Sequence, residues 1–120
     1  KVVVGHHPLY SGGKRKDGED TKDFEAQFAD FFDAHKVDAY ICGHEHDLQI
    51  IKPTGRYTTQ FLSGAGSAIR PAGSREGTVF AAAEPGFMSF TVNGETMLIQ
   101  TIKAHQNKAE IIHQMELKKK

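Results

Sequence analysis

The amino-acid sequence predicts an α/β fold, in which a β-strand–helix–β-strand unit over residues 1–52 precedes mostly antiparallel strands over residues 53–120. Three observations predict it. Two short apolar runs each end at a glycine, phenylalanines at helical spacing lie between them, and an Asn-Gly pair separates two apolar segments further along. We expect residues 1–120 to form a single, partial domain, because this length suits one domain or half of a larger one.

The predicted unit begins with a strand at Val2–Val4, a β-branched run that ends at Gly5. Such a run is typical of a buried parallel strand, so we expect it to be central in its sheet. Ala39–Cys42 predicts a second strand, which ends at Gly43. A crossover connection leaves two such strands parallel, so both are expected to end at one edge of the sheet, where open α/β sheets bind ligands.

Phenylalanines at helical spacing predict a helix between these two strands. We expect Asp20 or Thr21 to be its N-cap. The recurring positions are Phe24, Phe28, Phe31, Phe32 and His35. Most of this face is expected to pack in the core, because a stripe of phenylalanines serves packing far more often than ligand binding.

The second half of the chain predicts antiparallel strands that form one sheet. Asn93-Gly94 is a strong hairpin signal, and turns are expected at residues 53–55 and 106–107. Residues 63–77 are rich in Gly, Ser and Ala and are expected to form a loop. The predicted strands cover residues 48–51, 57–62, 87–92, 95–102 and 110–117.

The composition excludes several classes of function. Hydrophobic residues make up 38% and charged residues 25%, which predicts a packed core rather than disorder. The chain has 15 Lys and Arg residues in total and 15 Asp and Glu residues in total, so its formal net charge is zero and no nucleic-acid partner is expected. No apolar run approaches the about 20 residues that cross a bilayer, so no membrane partner is expected. The sole cysteine, Cys42, excludes an intrachain disulfide and a cysteine-rich zinc site.

Three histidines follow the two predicted parallel strands. His6 follows Gly5, and His44 and His46 follow Gly43. In an extended segment, residues two apart point the same way, so both later imidazoles are expected to face one site while Glu45 faces elsewhere. Imidazole suits Zn, Fe, Cu and Ni, and two metals about 3.5–4 Å apart activate water and clamp a phosphoryl group. A structural or surface role for these histidines is the alternative.

The motifs Gly5-His6-His7-Pro8 and Gly43-His44-Glu45-His46 resemble the two histidine blocks of calcineurin-like metallophosphoesterases. The strings VVVGHHPLYSGG, VDAYICGHEHDLQ and FLSGAGS are similar to the purple (tartrate-resistant) acid phosphatase branch. The resemblance implies the C-terminal half of a metallophosphoesterase α/β sandwich. It also implies a dinuclear centre of Fe with Zn, Fe or Mn that hydrolyses phosphate monoesters, in a secreted, periplasmic or lysosomal protein.

The resemblance assigns roles to individual histidines. It implies that His6 and His44 bind the divalent metal and that His46 binds the ferric one. His7 occupies a variable position of the first block, so it is expected near the substrate as a candidate catalytic residue and not as a ligand. Asp47 is a candidate hydrogen-bond acceptor that holds His44 or His46 in place, or else an exposed loop acid.

Residues in two loops are further candidates for substrate contact. Related enzymes often carry another histidine after the first block, where this chain has Lys14, Arg15 and Lys16. Their charges could meet phosphate oxygens, and a merely solvated basic loop is the alternative. Residues 64–66 could let the backbone approach the site, or could form an ordinary tight loop.

Three carboxylate- and asparagine-bearing blocks of the family are absent from this sequence. Asp33-Ala34-His35 matches one of them by letters only, because it falls inside the predicted helix. The chain opens at Lys1 directly on a predicted strand, so we expect the N-terminal half of the same protein to be missing here. We therefore expect little activity from the chain alone. The alternatives are a non-catalytic metal-binding module and a structural fragment that forms homo-oligomers.

Overall fold

The computed structural model describes residues 1–119, which form a helix, a five-stranded mixed sheet and a three-stranded antiparallel sheet. In chain order the elements are β1 (Val2–Val4), α1 (Glu19–Ala34), β2 (Ala39–Cys42), β3 (Leu48–Ile51), β4 (Thr59–Ser63), β5 (Thr78–Ala82), β6 (Gly86–Asn93), β7 (Thr96–Ala104) and β8 (Ala109–Lys118). The mixed sheet has the order β1-β2-β4-β3-β5, and the second sheet has the order β6-β7-β8. The predicted α/β fold is confirmed.

The strands β1 and β2 run parallel, as predicted, and β4 lies parallel to β2 on its other side. The hydrogen-bond ladder continues past both strand ends. The Gly5 N–H donates to the Ile41 carbonyl at 2.9 Å, and the Gly43 N–H donates to the His6 carbonyl at 3.0 Å. The segments that follow β1, β2 and β4 therefore meet at one edge of the sheet, which we call the carboxyl rim.

The two faces of the mixed sheet carry two separate cores. Helix α1 covers one face, where Phe32 packs with Tyr40 and Cys42 of β2 and with Leu62 of β4. The three-stranded sheet covers the other face. That second core consists of Ala39, Leu48, Ile50, Phe61, Ala65, Met88, Met97 and Ile99. The residues of β2 alternate between the two cores, and the carboxyl rim lies beyond them at the end of the sheet.

The predicted central position of β1 is wrong. It lies at the edge of the mixed sheet, with β2 as its one neighbouring strand among residues 1–119. Val2 and Val4 are consequently 48% and 72% exposed. A run of β-branched residues predicts a strand but does not show how many neighbours that strand has.

The predicted single antiparallel sheet of the second half is also wrong. Strands β3 and β4 form the expected hairpin, but they extend the mixed sheet, and only β6–β8 form a separate sheet. Strand β5 was not predicted. It follows the glycine-rich loop and precedes Pro85, and it pairs with β3 at the second edge of the mixed sheet.

Helix α1 begins earlier than the capping residues predict. Its N-cap is Gly18, whose position carries no side-chain cap, so the predicted caps Asp20 and Thr21 are wrong. Both lie in the first turn, where the negative charge of Asp20 is favourable at the positive end of the helix dipole. Within residues 1–119, no helix is long and apolar enough to cross a membrane.

Two isoleucine substitutions in the three-stranded sheet test this packing. Ile99 is fully buried between the sheets, so Ile99→Ala is expected to lower the free energy of unfolding by about 2–5 kcal/mol. Ile111 is 54% exposed, so Ile111→Ala is expected to cost less than about 1 kcal/mol. Urea denaturation measures both, and equal losses would contradict the two-sheet core.

Candidate functional site

His6 and His44 lie side by side at the carboxyl rim. Nε2 of His6 is 3.0 Å from Nδ1 of His44, and the two ring centroids are 4.8 Å apart. The ring of His7 also adjoins that of His44, at a centroid distance of 4.5 Å. The parallel pairing of β1 with β2 thus brings together imidazoles that are 38 residues apart along the chain.

His46 lines the same cavity as His6 and His44. This cavity has a volume of about 340 Å³, and its other walls are formed by Gly43, Ser63, Gly64, Gly66 and Ser67. Nε2 of His44 and Nδ1 of His46 are buried without a hydrogen-bond partner. Unpartnered buried nitrogens are costly unless a ligand satisfies them, so these two atoms suit a metal ion.

The ligand set at this rim is not complete. Among residues 1–119, no three His, Cys, Asp or Glu side chains are placed so that together they could hold a metal ion. The three imidazoles therefore surround one cavity without forming a closed site.

The predicted extended conformation of the second histidine block is wrong. His44 has a φ of +69°, and the Glu45 N–H donates to the Gly43 carbonyl at 2.8 Å, so the backbone bends directly after β2. The two imidazoles share a cavity because of this bend and not because of strand alternation. Glu45 does face elsewhere, as predicted, since its side chain is fully buried behind the rim.

The electrostatic surroundings favour a neutral His44. Burial lowers its pKa, and the neighbouring Arg15, His7 and His6 side chains lower it further, against an opposing effect of Glu45. A neutral imidazole has a free nitrogen lone pair, which is the form that binds metals. The charge around His44 therefore suits a metal ligand.

The three basic loop residues predicted to bind substrate have different surroundings. Arg15 is close enough for its charge to affect His44, and its Nε is buried without a hydrogen-bond partner. Lys16 donates from Nζ to the Ser74 carbonyl at 3.2 Å. Lys14 is exposed beside a second cavity, on the side of the loop where Arg70 lies. Of the three, Arg15 is the one that the structure associates with the histidines.

Neither alternative for Asp47 agrees with the structure. Its side chain is fully buried, so it is not an exposed loop acid. Oδ1 accepts from Nε2 of Gln49 at 2.8 Å and Oδ2 has no partner, so it does not hold a histidine either. Burial raises the pKa of Asp47 to about 7. The hydrogen bond from Gln49 opposes this rise, and the neighbouring Glu45 adds to it.

Asp33 and His35, which match a family block by letters only, lie at the end of α1 and not at the carboxyl rim. The Asp33 carboxylate accepts hydrogen bonds from the Arg56 side chain and from the backbone N–H groups of Tyr57 and Thr58. His35 is exposed after the last turn of α1, and its Nδ1 lies 2.9 Å from the Phe31 carbonyl. The Asp33 side chain therefore ties the helix end to the segment before β4.

Sequence reasoning missed the buried polar side chains behind the rim. Gln60 of β4 accepts from the N–H groups of Leu9 and Tyr10 at 2.7 and 3.0 Å, and it donates to the Tyr10 carbonyl at 2.7 Å. Gln49 of β3 accepts from the Gly12 N–H at 2.8 Å. A glutamine inside an otherwise apolar strand was the available signal, since a buried amide needs partners.

Comparison with known proteins finds sequence similarity over the part of the chain that carries both histidine blocks. Residues 1–48, which contain both histidine blocks, match the family model "Calcineurin-like phosphoesterase". Purple acid phosphatase 4 of Arabidopsis thaliana is 38% identical over 68 residues, which are 57% of this chain and 19% of that protein. The match thus spans about a fifth of the length of that curated relative.

Solved structures share the fold over nearly the whole chain. GAP50, described as the anchor in the inner membrane complex of Plasmodium, aligns with a TM-score of 0.80 at 21% identity, over 99% of this chain and 36% of that one. Purple acid phosphatase PPD1 from yellow lupin seeds aligns with a TM-score of 0.76 at 15% identity, over 98% of this chain and 24% of that one. The resemblance predicted from the two histidine blocks is confirmed: this chain is similar in sequence to calcineurin-like phosphoesterases of the purple acid phosphatase type, and it shares their fold.

Proposed function

We propose that this chain contributes three histidine ligands, His6, His44 and His46, to a dinuclear metal centre that hydrolyses phosphate monoesters. The observation that supports this most directly is their arrangement around one cavity at the carboxyl rim, with buried nitrogens of His44 and His46 left unpartnered. The similarity to acid phosphatases supports the same reaction class.

The roles of the ligands in this proposal follow the family resemblance. His6 and His44 would hold the divalent ion, and His46 would hold the ferric one. Iron paired with zinc, iron or manganese would supply Lewis-acid stabilisation of phosphoryl oxygens and lower the pKa of a water molecule. The carboxylates and the amide that such a centre also needs would come from other parts of the protein.

The residues of this chain would bind and orient the substrate. Arg15 has an unsatisfied guanidinium nitrogen, and its backbone bonds to Glu45, the residue between His44 and His46. A phosphate oxygen is a suitable acceptor for that nitrogen. His7 adjoins His44 on the exposed side of the rim, where it could donate a hydrogen bond to the substrate. Both side chains would donate hydrogen bonds to the negatively charged oxygens of a phosphoryl group.

Zinc binding tests the ligand assignment. His44→Ala is expected to weaken Zn²⁺ binding to the chain at least about tenfold, because it removes an imidazole with an unpartnered nitrogen. His35→Ala removes an exposed imidazole away from the rim and is expected to leave binding unchanged. Isothermal titration calorimetry measures both variants. Equal binding by wild type and His44→Ala would contradict the assignment, and tight binding of one metal per chain would favour a non-catalytic module.

Hydrolysis of para-nitrophenyl phosphate tests whether the ligand set is complete. With Fe and Zn added, the 120-residue chain alone is expected to show no turnover above the uncatalysed background. In a longer protein that supplies the other ligands, His44→Ala is expected to lower kcat more than about 100-fold, since changes outside the ligands alone cost about 10–100-fold. His105→Ala, beside Glu110 and distant in sequence from both blocks, is the control.

Robust turnover by the chain alone, abolished by His44→Ala, would show that the set is complete after all.

A further inference from the structure

We propose that Glu45 is a positioning residue, whose buried carboxylate holds the loop of residues 11–16 so that Arg15 stays beside the histidine cavity and can bind an oxyanion there. The inference rests on the proposed phosphate chemistry of this site. It assigns a role to the residue that lies between the two proposed ligands of the second histidine block.

One carboxylate oxygen of Glu45 holds the loop at two points. Oε2 accepts from the Ser11 hydroxyl at 2.7 Å and from the Arg15 N–H at 2.8 Å. The Ser11 hydroxyl oxygen in turn accepts from the Gly13 N–H at 3.0 Å. Charge-assisted hydrogen bonds of this kind are about twice as strong as neutral ones. A single buried oxygen therefore holds the loop at both Ser11 and Arg15.

The backbone encloses Glu45 on two sides. A Cβ on Gly64 would lie 1.9 Å from the Glu45 carbonyl oxygen, so only glycine allows the segment after β4 to approach so closely. A Cβ on Gly13 would lie 3.2 Å from Cδ of Glu45 and 2.9 Å from Oδ2 of Asp47. Because this space is closed to solvent, the hydrogen bonds of the carboxylate are made in a low dielectric, where they are stronger.

The second oxygen of Glu45 faces a cation. Oε1 has no hydrogen-bond partner and lies 3.8 Å from Nη1 of Arg70. Arg70 also donates its backbone N–H to the His46 carbonyl at 3.0 Å. The carboxylate thus contacts both the loop after β1 and the loop after β4, while its own backbone belongs to the loop after β2.

The segment before this loop is held by other side chains. The glutamines of β4 and β3 hold residues 9, 10 and 12, and the Tyr40 hydroxyl donates to the His7 carbonyl at 2.6 Å. Loss of Glu45 should consequently release residues 13–16 and leave residues 7–10 in place. This difference separates a positioning role from a general role in stability.

Glu45 holds the backbone of Arg15, and one nitrogen of the Arg15 side chain still lacks a partner. Nε of Arg15 is buried without a hydrogen bond, and an unsatisfied donor on a cation is costly unless an acceptor reaches it. An oxyanion at the rim would satisfy it. The geometry thus links the buried carboxylate to anion binding through the backbone of Arg15.

Three variants and a control test the inference on the chain itself. Glu45→Ala removes both hydrogen bonds, Glu45→Gln keeps an acceptor oxygen in a side chain of the same shape, and Ser11→Ala is the mildest change. Thr101→Val removes another fully buried hydroxyl, on β7 in the second sheet, and is the control. Amide hydrogen exchange at residues 7–16 and the Kd of inorganic phosphate, measured from the Arg15 Nε–H resonance, are the two readouts.

Glu45→Ala is expected to speed exchange of the Arg15 amide at least about tenfold and to weaken phosphate binding at least about fivefold. Ser11→Ala is expected to speed exchange at Gly13. Glu45→Gln keeps the acceptor but loses the charge, so both readouts are expected to fall between wild type and Glu45→Ala. Thr101→Val should remain within about twofold of wild type in both. Residues 7–10 should keep their protection in every variant.

Absence of phosphate binding by the wild type would overturn the inference. So would a phosphate Kd that Glu45→Ala leaves unchanged, or equal loss of protection over residues 7–16. Failure of the proposed function would appear instead in the zinc titration, as equal Zn²⁺ binding by wild type and His44→Ala. That result is independent of the exchange rates and of the phosphate Kd.

Discussion

The parallel pairing of β1 with β2 is the constraint on which the rest of the site depends. The ladder runs from Val2 opposite Ala39 to Val4 opposite Ile41 and continues through the backbone of Gly5 and Gly43. Because both strands end at the same edge, the residues after them are neighbours in space. A one-residue slip of this register would move each side chain to the opposite face of its strand and would separate His6 from His44.

The carboxyl rim combines an open cavity with a tightly bonded support. His6 and His7 are exposed and His44 is partly buried, whereas the side chains behind them are fully buried: Glu45, Asp47, Gln49 and Gln60. Burial of so many polar side chains is costly unless they are hydrogen-bonded, and Glu45, Gln49 and Gln60 each bond to the backbone of residues 9–15. The support therefore restricts one loop to one conformation, which is what a site that orients a ligand requires.

Much of the fold could be predicted from the sequence, because the signals were local. Apolar runs that end at glycines, helical spacing of phenylalanines and the Asn93-Gly94 turn each depend on near neighbours, and the corresponding strands and helix are present. The edge position of β1 and the membership of β3–β5 in the mixed sheet depend on pairings between distant segments. Periodicity carries no information about those pairings.

The site divides in the same way. The meeting of His6 with His44 follows from the handedness and direction of a crossover, which are general rules. The bend at His44 and the burial of Asp47 were not predictable, because they depend on the approach of Gly64 and of the loop after β1.

Contact between the rings of His6 and His44 is the most direct test of this account. Nuclear Overhauser spectroscopy of the chain should show a cross-peak between these two imidazoles, since their nearest nitrogens are 3.0 Å apart. Cross-strand peaks between β1 and β2 in the same spectrum report on the parallel pairing itself. An absent imidazole cross-peak, with the strand peaks present, would contradict the convergence of the histidines at the rim.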